Sequence, residues 1–142
     1  MNILYEENTL NAKQFLKLRE SVGWKGNEFQ IEKALICGLY NVIAKDGNQV
    51  VGMGRLVGDG IMYWYIQDVI VNPRYQGKGI GKEIMRLLTQ YVEKNSLPNT
   101  TVTIGLMAAK GKENFYEKFG YIARPTEVFG PGMMKYHEIP TS

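Results

Sequence analysis

Cysteine and histidine are almost missing: among 142 residues the chain has one of each, Cys37 and His137. A lone thiol closes no internal disulfide, and the pair cannot complete a zinc site, so the sequence assigns no metal and points to a reducing cytoplasm. Long apolar runs are missing too. Nothing approaches the ~20 residues of a membrane helix, and Glu6 and Glu7 stand where a secretory leader would be basic and then apolar. Neither a membrane partner nor a processed leader is expected. Charge of one sign is scarce, with 17 Lys and Arg against 14 Asp and Glu and a net charge of +3. Without a basic arm or block, that balance suits a small anionic ligand and leaves no footprint for nucleic acid. Proline is held to 5 residues, and no repeat, low-complexity tract or linker interrupts the chain. What remains is ordinary globular material, 44% hydrophobic and 11% aromatic. Its length fits a single domain over residues 1–142 that buries about 68–70% of its unfolded surface.

Ile3, Leu4 and Tyr5 read as a short first strand. Thr9 or Asn11 then caps a helix with Ala12, Phe15, Leu16 and Val22 on one side, ended by Gly23. A second helix, capped by Asn27, carries Ile31, Ala34, Leu35 and Leu39 at helical spacing. From Val42 the period changes to that of strands: Val42 to Lys45, a turn at Asp46-Gly47-Asn48, and Gln49 to Val57 form a hairpin. After a turn at Gly58-Asp59-Gly60, Met62 to Val71 is the strongest strand in the chain, and Asn72-Pro73 stops it. A helix with Ile84, Leu87, Leu88, Tyr91 and Val92 on its apolar face runs to about Asn95, and Thr101 to Leu106 returns as a strand beside the earlier one. A short helix from Gly111 to Phe119 stops at Gly120. Strands are expected at Tyr121 to Ala123 and at Met133 to His137, with Thr126 to Gly132 a loop. The class is α/β or α+β with a mixed sheet.

The sharpest local signal is Gln76-Gly77-Lys78-Gly79-Ile80-Gly81, which follows the strongest strand and opens a helix. Glycines there let backbone N–H groups converge, and the helix aims the positive end of its dipole at the same point. A phosphate belongs at such a place, with Arg74, Lys78 and Lys82 around it. A nucleoside-triphosphatase loop would need Gly at Gln76 and Ser or Thr at Glu83, and the dinucleotide fingerprint requires a different glycine spacing after the first strand. Both fail. The remaining plain reading is a glycine turn that caps a helix.

The stretch from Val71 to Gly81 resembles the acetyl-CoA-binding motif of the GCN5-related N-acetyltransferases, Gln/Arg-x-x-Gly-x-Gly/Ala. Asn114-Phe115-Tyr116-Glu117-Lys118-Phe119-Gly120-Tyr121 is similar to that family's later motif, a tyrosine-bearing helix ending in an aromatic-Gly-aromatic turn. The spacing of the two motifs fits, and the order of elements from Ile3 to His137 is similar throughout. The resemblance implies one mixed, mostly antiparallel sheet of about six to seven strands flanked by about four helices. It also implies acetyl transfer from acetyl-CoA to an amine that attacks the thioester directly. By the same resemblance, backbone groups of Val69, Ile70 and Val71 pair with the pantetheine arm, and the Val69 N–H is the oxyanion donor. The amides of Gln76, Gly77, Lys78, Gly79, Ile80 and Gly81 hold the pyrophosphate, the Asn114 side chain bonds the pantetheine, and Tyr116 is the general acid.

Tyr116 also reads as a packing aromatic beside Phe115 and Phe119. Asp68, inside an apolar strand, reads either as a base or amine anchor or as a hydrogen-bonded structural carboxylate. Alternation puts Tyr63, Tyr65, Gln67 and Val69 on one face and Trp64, Ile66, Asp68 and Ile70 on the other, so Gln67 and Asp68 share a pocket only if the strand bulges. By the same resemblance Trp24, Phe29, Tyr65, Gln67 and Phe129 are candidates to line an acceptor site, and the four aromatics among them favour a small, partly apolar primary amine. Plain core packing is the alternative for each. The pair Gln67-Asp68 is similar to an acidic pair of the family's glucosamine-6-phosphate branch, with Arg19 and Arg55 as candidate phosphate ligands. Two further readings stand beside the small-molecule transferase: an acyl-CoA-binding regulatory module without turnover, and a protein or peptide acetyltransferase. A dimer through the C-terminal strand is compatible with each.

Overall fold

Asn11 and Asn27 open the first helices as their side chains predict. Asn11 Oδ1 accepts the Gln14 N–H at 2.8 Å while Gln14 Oε1 accepts the Asn11 N–H at 3.0 Å, and Asn27 Oδ1 accepts the Gln30 N–H at 2.9 Å. In the computed structural model, which describes residues 2–141, these caps start α1 (Ala12–Ser21) and α2 (Glu28–Cys37), after the first strand β1 (Ile3–Glu7). Then come β2 (Tyr40–Asp46), β3 (Gln49–Gly58), β4 (Tyr63–Val71), a 3₁₀ turn (Pro73–Tyr75), α3 (Ile80–Asn95), β5 (Thr103–Leu106) and α4 (Glu113–Glu117). The chain divides into two compact units, Met1–Leu106 and Met107–Ser142.

In the first unit the five strands lie in the order β1-β2-β3-β4-β5. The first three pairings are antiparallel, and β4 with β5 is parallel. A parallel neighbour needs a crossover, which α3 supplies. Helices cover both faces. Ile80, Ile84, Met85, Leu88 and Val92 of α3 are buried, each worth about 1.5–3 kcal/mol relative to exposure. Against them the sheet presents glycines: a Cβ on Gly54 would stand 2.6 Å from Ile84 Cγ2 and 3.0 Å from Leu88 Cδ1, and one on Gly52 3.1 Å from Ile80 Cγ2. The missing side chains let α3 lie close to the strands. On the opposite face Leu10, Phe15, Leu18 and Ile31 pack with Ile43, Met53 and Ile70. At the β3–β4 turn, Asp59 Oδ1 accepts the amides of Ile61, Met62 and Tyr63 at 2.8–2.9 Å, which holds its carboxyl below the usual range.

Several sequence expectations need correction. The sheet has five strands among the described residues, not six to seven, because neither Tyr121–Ala123 nor Met133–His137 forms a strand. A strand exists only where a neighbour takes its backbone groups, and Met133, Met134 and Tyr136 are 89, 57 and 92% exposed. α2 stops at Cys37 with Gly38 as its C-cap, so Leu39 lies outside it. β5 begins at Thr103 and α4 is confined to Glu113–Glu117. Gly120 does take the expected left-handed conformation, φ +93. The Gly120 N–H then bonds Glu117 O at 3.0 Å and the Tyr121 N–H bonds Tyr116 O at 3.4 Å, which closes the turn.

The tight seat of α3 yields a stability test. Gly54→Ala is expected to lower the unfolding free energy by about 1–3 kcal/mol through overpacking, read from the urea midpoint; an unchanged midpoint would mean that α3 is free to move away.

Candidate functional site

The site begins with an irregularity in β4. Leu56 pairs with Ile66 and Arg55 with Gln67, but the next pairs are Met53 with Ile70 and Gly52 with Val71. Asp68 and Val69 therefore stand opposite Gly54 alone, which is a β-bulge. Asp68 adopts the left-handed conformation, φ +55, where an L-residue costs about 1–2 kcal/mol. The bulge overturns simple alternation. Gln67 lies opposite Arg55 and so shares its face, Asp68 bonds Arg55 and lies on that face too, and the Val69 side chain turns to the α3 face beside Gly54. On the other side of β4, pairing with β5 ends at Ile66 and Leu106, so among the described residues no strand pairs with Gln67–Val71 along that edge.

Asp68 is the buried acidic residue of this face, 7% exposed. Its Oδ1 accepts from Arg19 Nη1 at 3.1 Å and its Oδ2 from Arg55 Nε at 3.0 Å. Both guanidinium groups are themselves held: Arg19 Nε donates to Lys25 O at 2.8 Å and lies over the Trp24 ring at 5.5 Å, while Arg55 lies over Phe15 at 5.4 Å. The two guanidinium groups together engage both oxygens of Asp68. Arg19 and Arg55 were visible in the sequence only as candidate phosphate ligands. Their pairing with Asp68 spans 49 and 13 residues, a separation that no local pattern marks.

The glycine loop is braced on its N-terminal side. Asn72 N–H bonds Val51 O at 2.8 Å, Asn72 Oδ1 accepts the Arg74 N–H at 3.0 Å, Gln76 Nε2 donates to Val71 O at 3.0 Å, and the Tyr75 hydroxyl donates to Asp46 Oδ2 at 2.6 Å. Beyond these anchors Gly77 and Gly79 have φ of +77 and +84, which only glycine takes without strain. A Cβ at either position would meet nothing within 4 Å, so the space over the loop is open. Gly79 is the N-cap of α3 and supplies no side-chain acceptor, which leaves the first-turn amides of a 16-residue helix uncapped. Gly81 lies inside that turn. Glu83, in the same turn, is neutralised by Arg86 at 2.6 Å, so its charge does not oppose an anion at the loop.

In the second unit, Asn114 is exposed on α4, while Tyr116 is half-buried with Phe115 at 5.0 Å and Tyr121 at 6.3 Å between ring centroids. Burial pushes the Tyr116 phenol above its ordinary value, and burial with the neighbouring Tyr116 pushes Tyr121 up to about 12. Phe129 is 57% exposed, with Arg124 over its ring at 5.1 Å. Of the acceptor candidates in the first unit, Tyr65 and Gln67 lie on the Arg55 face and Trp24 joins it through Arg19. Phe29 does not join them; it is 69% exposed on α2 with Lys33 over its ring. A groove of about 640 Å³ lined by Leu10, Asn11, Glu28, Glu32, Leu35 and Ile36, among others, contains none of the singled-out residues.

A family model described as acetyltransferase (GNAT) domain matches residues 38–123. The uncharacterized N-acetyltransferase ycf52 of Pyropia yezoensis is 30% identical over 132 residues, 89% of this chain and 74% of that protein. Among solved structures, a GNAT-family acetyltransferase from Streptococcus pneumoniae superposes with a TM-score of 0.80 at 30% identity, covering 97% of this chain and all of the other. A protein from meticillin-resistant Staphylococcus aureus gives 0.85 at 28% identity, covering 96% of this chain and 100% of its own.

Burial of the phenols fixes a titration. Their raised values mean that stability from the neutral rings is complete below 10.0, the ordinary phenol value, and is lost as pH rises through the folded values. Subtracting the ultraviolet titration of Tyr116→Phe from that of the wild type is expected to isolate a phenol ionising above 10.0. A difference curve centred at or below that value would contradict the burial of Tyr116.

Proposed function

The chain belongs to the acetyltransferase (GNAT) family, and from that premise we propose that it moves the acetyl group of acetyl-CoA to a primary amine of a small molecule by direct attack. The observation that supports this most is the placing of the glycine loop immediately beyond a strand end whose outer edge no strand pairs among the described residues. The residues fit the donor: the space over Gly77 and Gly79 is open, and uncapped amides of α3 point into it. When bound there, acetyl-CoA supplies an activated acyl carbon and a thiolate leaving group.

Each remaining task falls to a group of the chain. Amides of Gln76 to Gly81 hold the pyrophosphate, assisted by the dipole of α3. Val69, Ile70 and Val71 offer backbone groups along the open edge of β4 to the amides of the pantetheine arm, and the family resemblance assigns a further bond to that arm to the Asn114 side chain. The Val69 N–H donates to the thioester oxygen as charge develops. The family resemblance assigns protonation of the departing thiolate to Tyr116, whose phenol keeps its proton throughout the physiological range; the proton that the amine sheds as the N–C bond forms passes to water, and the phenolate regains one from solvent. Trp24, Tyr65 and Gln67 line the acceptor side, and their mix of ring and amide suits a small, partly apolar amine.

The first test is thiol release from acetyl-CoA against aryl-alkylamines, polyamines, amino acids, amino sugars and lysine peptides. Release that depends on a small amine is expected; release with peptides alone would replace the small-molecule acceptor, and CoA binding without release would make the chain a sensor. Tyr116→Phe should lower kcat by about 10²–10⁴-fold with CoA affinity retained, and unchanged turnover would remove Tyr116 from the mechanism. Gly79→Val places a branched side chain at φ +84 in the open space of the loop, so calorimetry should find acetyl-CoA binding weakened and acceptor binding spared. Unaltered CoA affinity would refute the loop assignment.

A further inference from the structure

We infer that Arg55 and Arg19 are positioning residues for acetyl transfer: together they hold Asp68 in the left-handed conformation that creates the β4 bulge, and thereby aim the Val69 N–H. The inference rests on the proposed role of that N–H. Among the described residues, three besides glycine have positive φ: Asn8, Asn99 and Asp68. Asn8 and Asn99 are exposed residues outside the strands, whereas Asp68 lies within β4, with strand residues before and after it. Asparagine and aspartate usually tolerate this conformation by bonding their own neighbouring backbone. Asp68 makes no such bond. Its two oxygens are taken by side chains 49 and 13 residues away.

The clamp is rigid at its far ends as well. Arg19 is fixed on α1 by Lys25 O and the Trp24 ring, and Arg55 is fixed on β3 by its strand position and the Phe15 ring. Side-chain exposures of 28% for Arg19, 15% for Arg55 and 3% for Asp68 show the carboxylate enclosed and the cations reaching toward solvent. The Val69 N–H belongs to the peptide plane that follows Asp68, so the torsions of Asp68 rotate it directly. A carboxylate gripped from two elements thus sets the direction of a backbone donor one residue on. This role asks nothing of Asp68 as a proton acceptor.

Glycine supplies the discriminating variant, because it takes a positive φ without a clamp. Asp68→Gly is expected to lose about tenfold less kcat than Asp68→Ala, and Arg55→Met to lower kcat about 10–100-fold, the range of a slightly misplaced group, with the KM for acetyl-CoA little changed. In the Asp68→Gly background, Arg55→Met should add no further loss, and Arg55→Lys in the wild-type background should restore part of kcat. All variants are first checked by thermal melting and assayed below their transitions. A base at Asp68 predicts instead equal losses for Gly and Ala, and a merely structural cluster predicts lowered melting temperatures with kcat intact; either result overturns the inference. The Val69 amide resonance, recorded without substrate, separates this inference from the proposed function. It should move in Arg55→Met and stay fixed between Asp68→Gly and its Arg55→Met double variant. A resonance that stays put in Arg55→Met overturns the clamp, whereas one that moves while kcat holds overturns its catalytic consequence together with the reading of Val69.

Discussion

Taking the Asp68 carboxylate out of water is costly unless cations meet it, and here they come from two directions, Arg19 on α1 and Arg55 on β3. The pairing joins the helical layer to the sheet at the point where β4 departs from regular pleating. What the first unit contributes to the proposed reaction is arranged about that departure: the face change at Val69, the edge beyond Ile66 that no strand pairs among the described residues, and the glycine loop that follows Val71. Were Asp68 free to relax into ordinary strand torsions, Val69 would turn toward α1 and the register with β3 would slip by one residue. Side chains distant in sequence therefore decide the geometry of a backbone group.

The two faces of the sheet divide the labour. On the α3 side the strands give up side chains at Gly52 and Gly54, and the helix settles close enough that its N-terminus lies at the end of β4. That face carries the proposed phosphate site, with positive partial charge from uncapped amides and no metal ion invoked. On the α1 side sit Gln67, Asp68 and both arginines, with Trp24 and Tyr65 nearby. In the proposed reaction the sheet separates donor from acceptor groups, with the thioester at its open edge, so that each is recognised without competing for the same surface. The same economy explains why the residues concerned are spread over elements that pack well for their own reasons.

Local chemistry made much of this legible. The caps at Asn11 and Asn27, the strand ending at Asn72-Pro73, the glycine loop and the apolar stripe of α3 are written within a few residues of where they act. Strand alternation marks that Gln67 and Asp68 share a face only through a bulge, but regular alternation puts Asp68, Val69 and Ile70 each on the wrong side. What stayed hidden depends on distant partners. Nothing near Arg19 or Arg55 announces Asp68, and the strand expected at Met133–His137 failed because extended sequence becomes sheet only when another strand accepts it. The acceptor candidates divided in the same way, Tyr65 and Gln67 being placed by β4 while Phe29 lies on an exposed side of α2.

The most direct measurement is an amide-resolved titration of the protein with coenzyme A. Resonances of Gly77, Lys78, Gly79 and Ile80 should shift together with those of Val69 to Val71, while β1 and β2 amides such as Leu4 and Ile43 hold still. Shifts confined elsewhere, for example to Leu10, Glu32 and Ile36 around the groove beside α2, would place the coenzyme at a different surface and contradict the account.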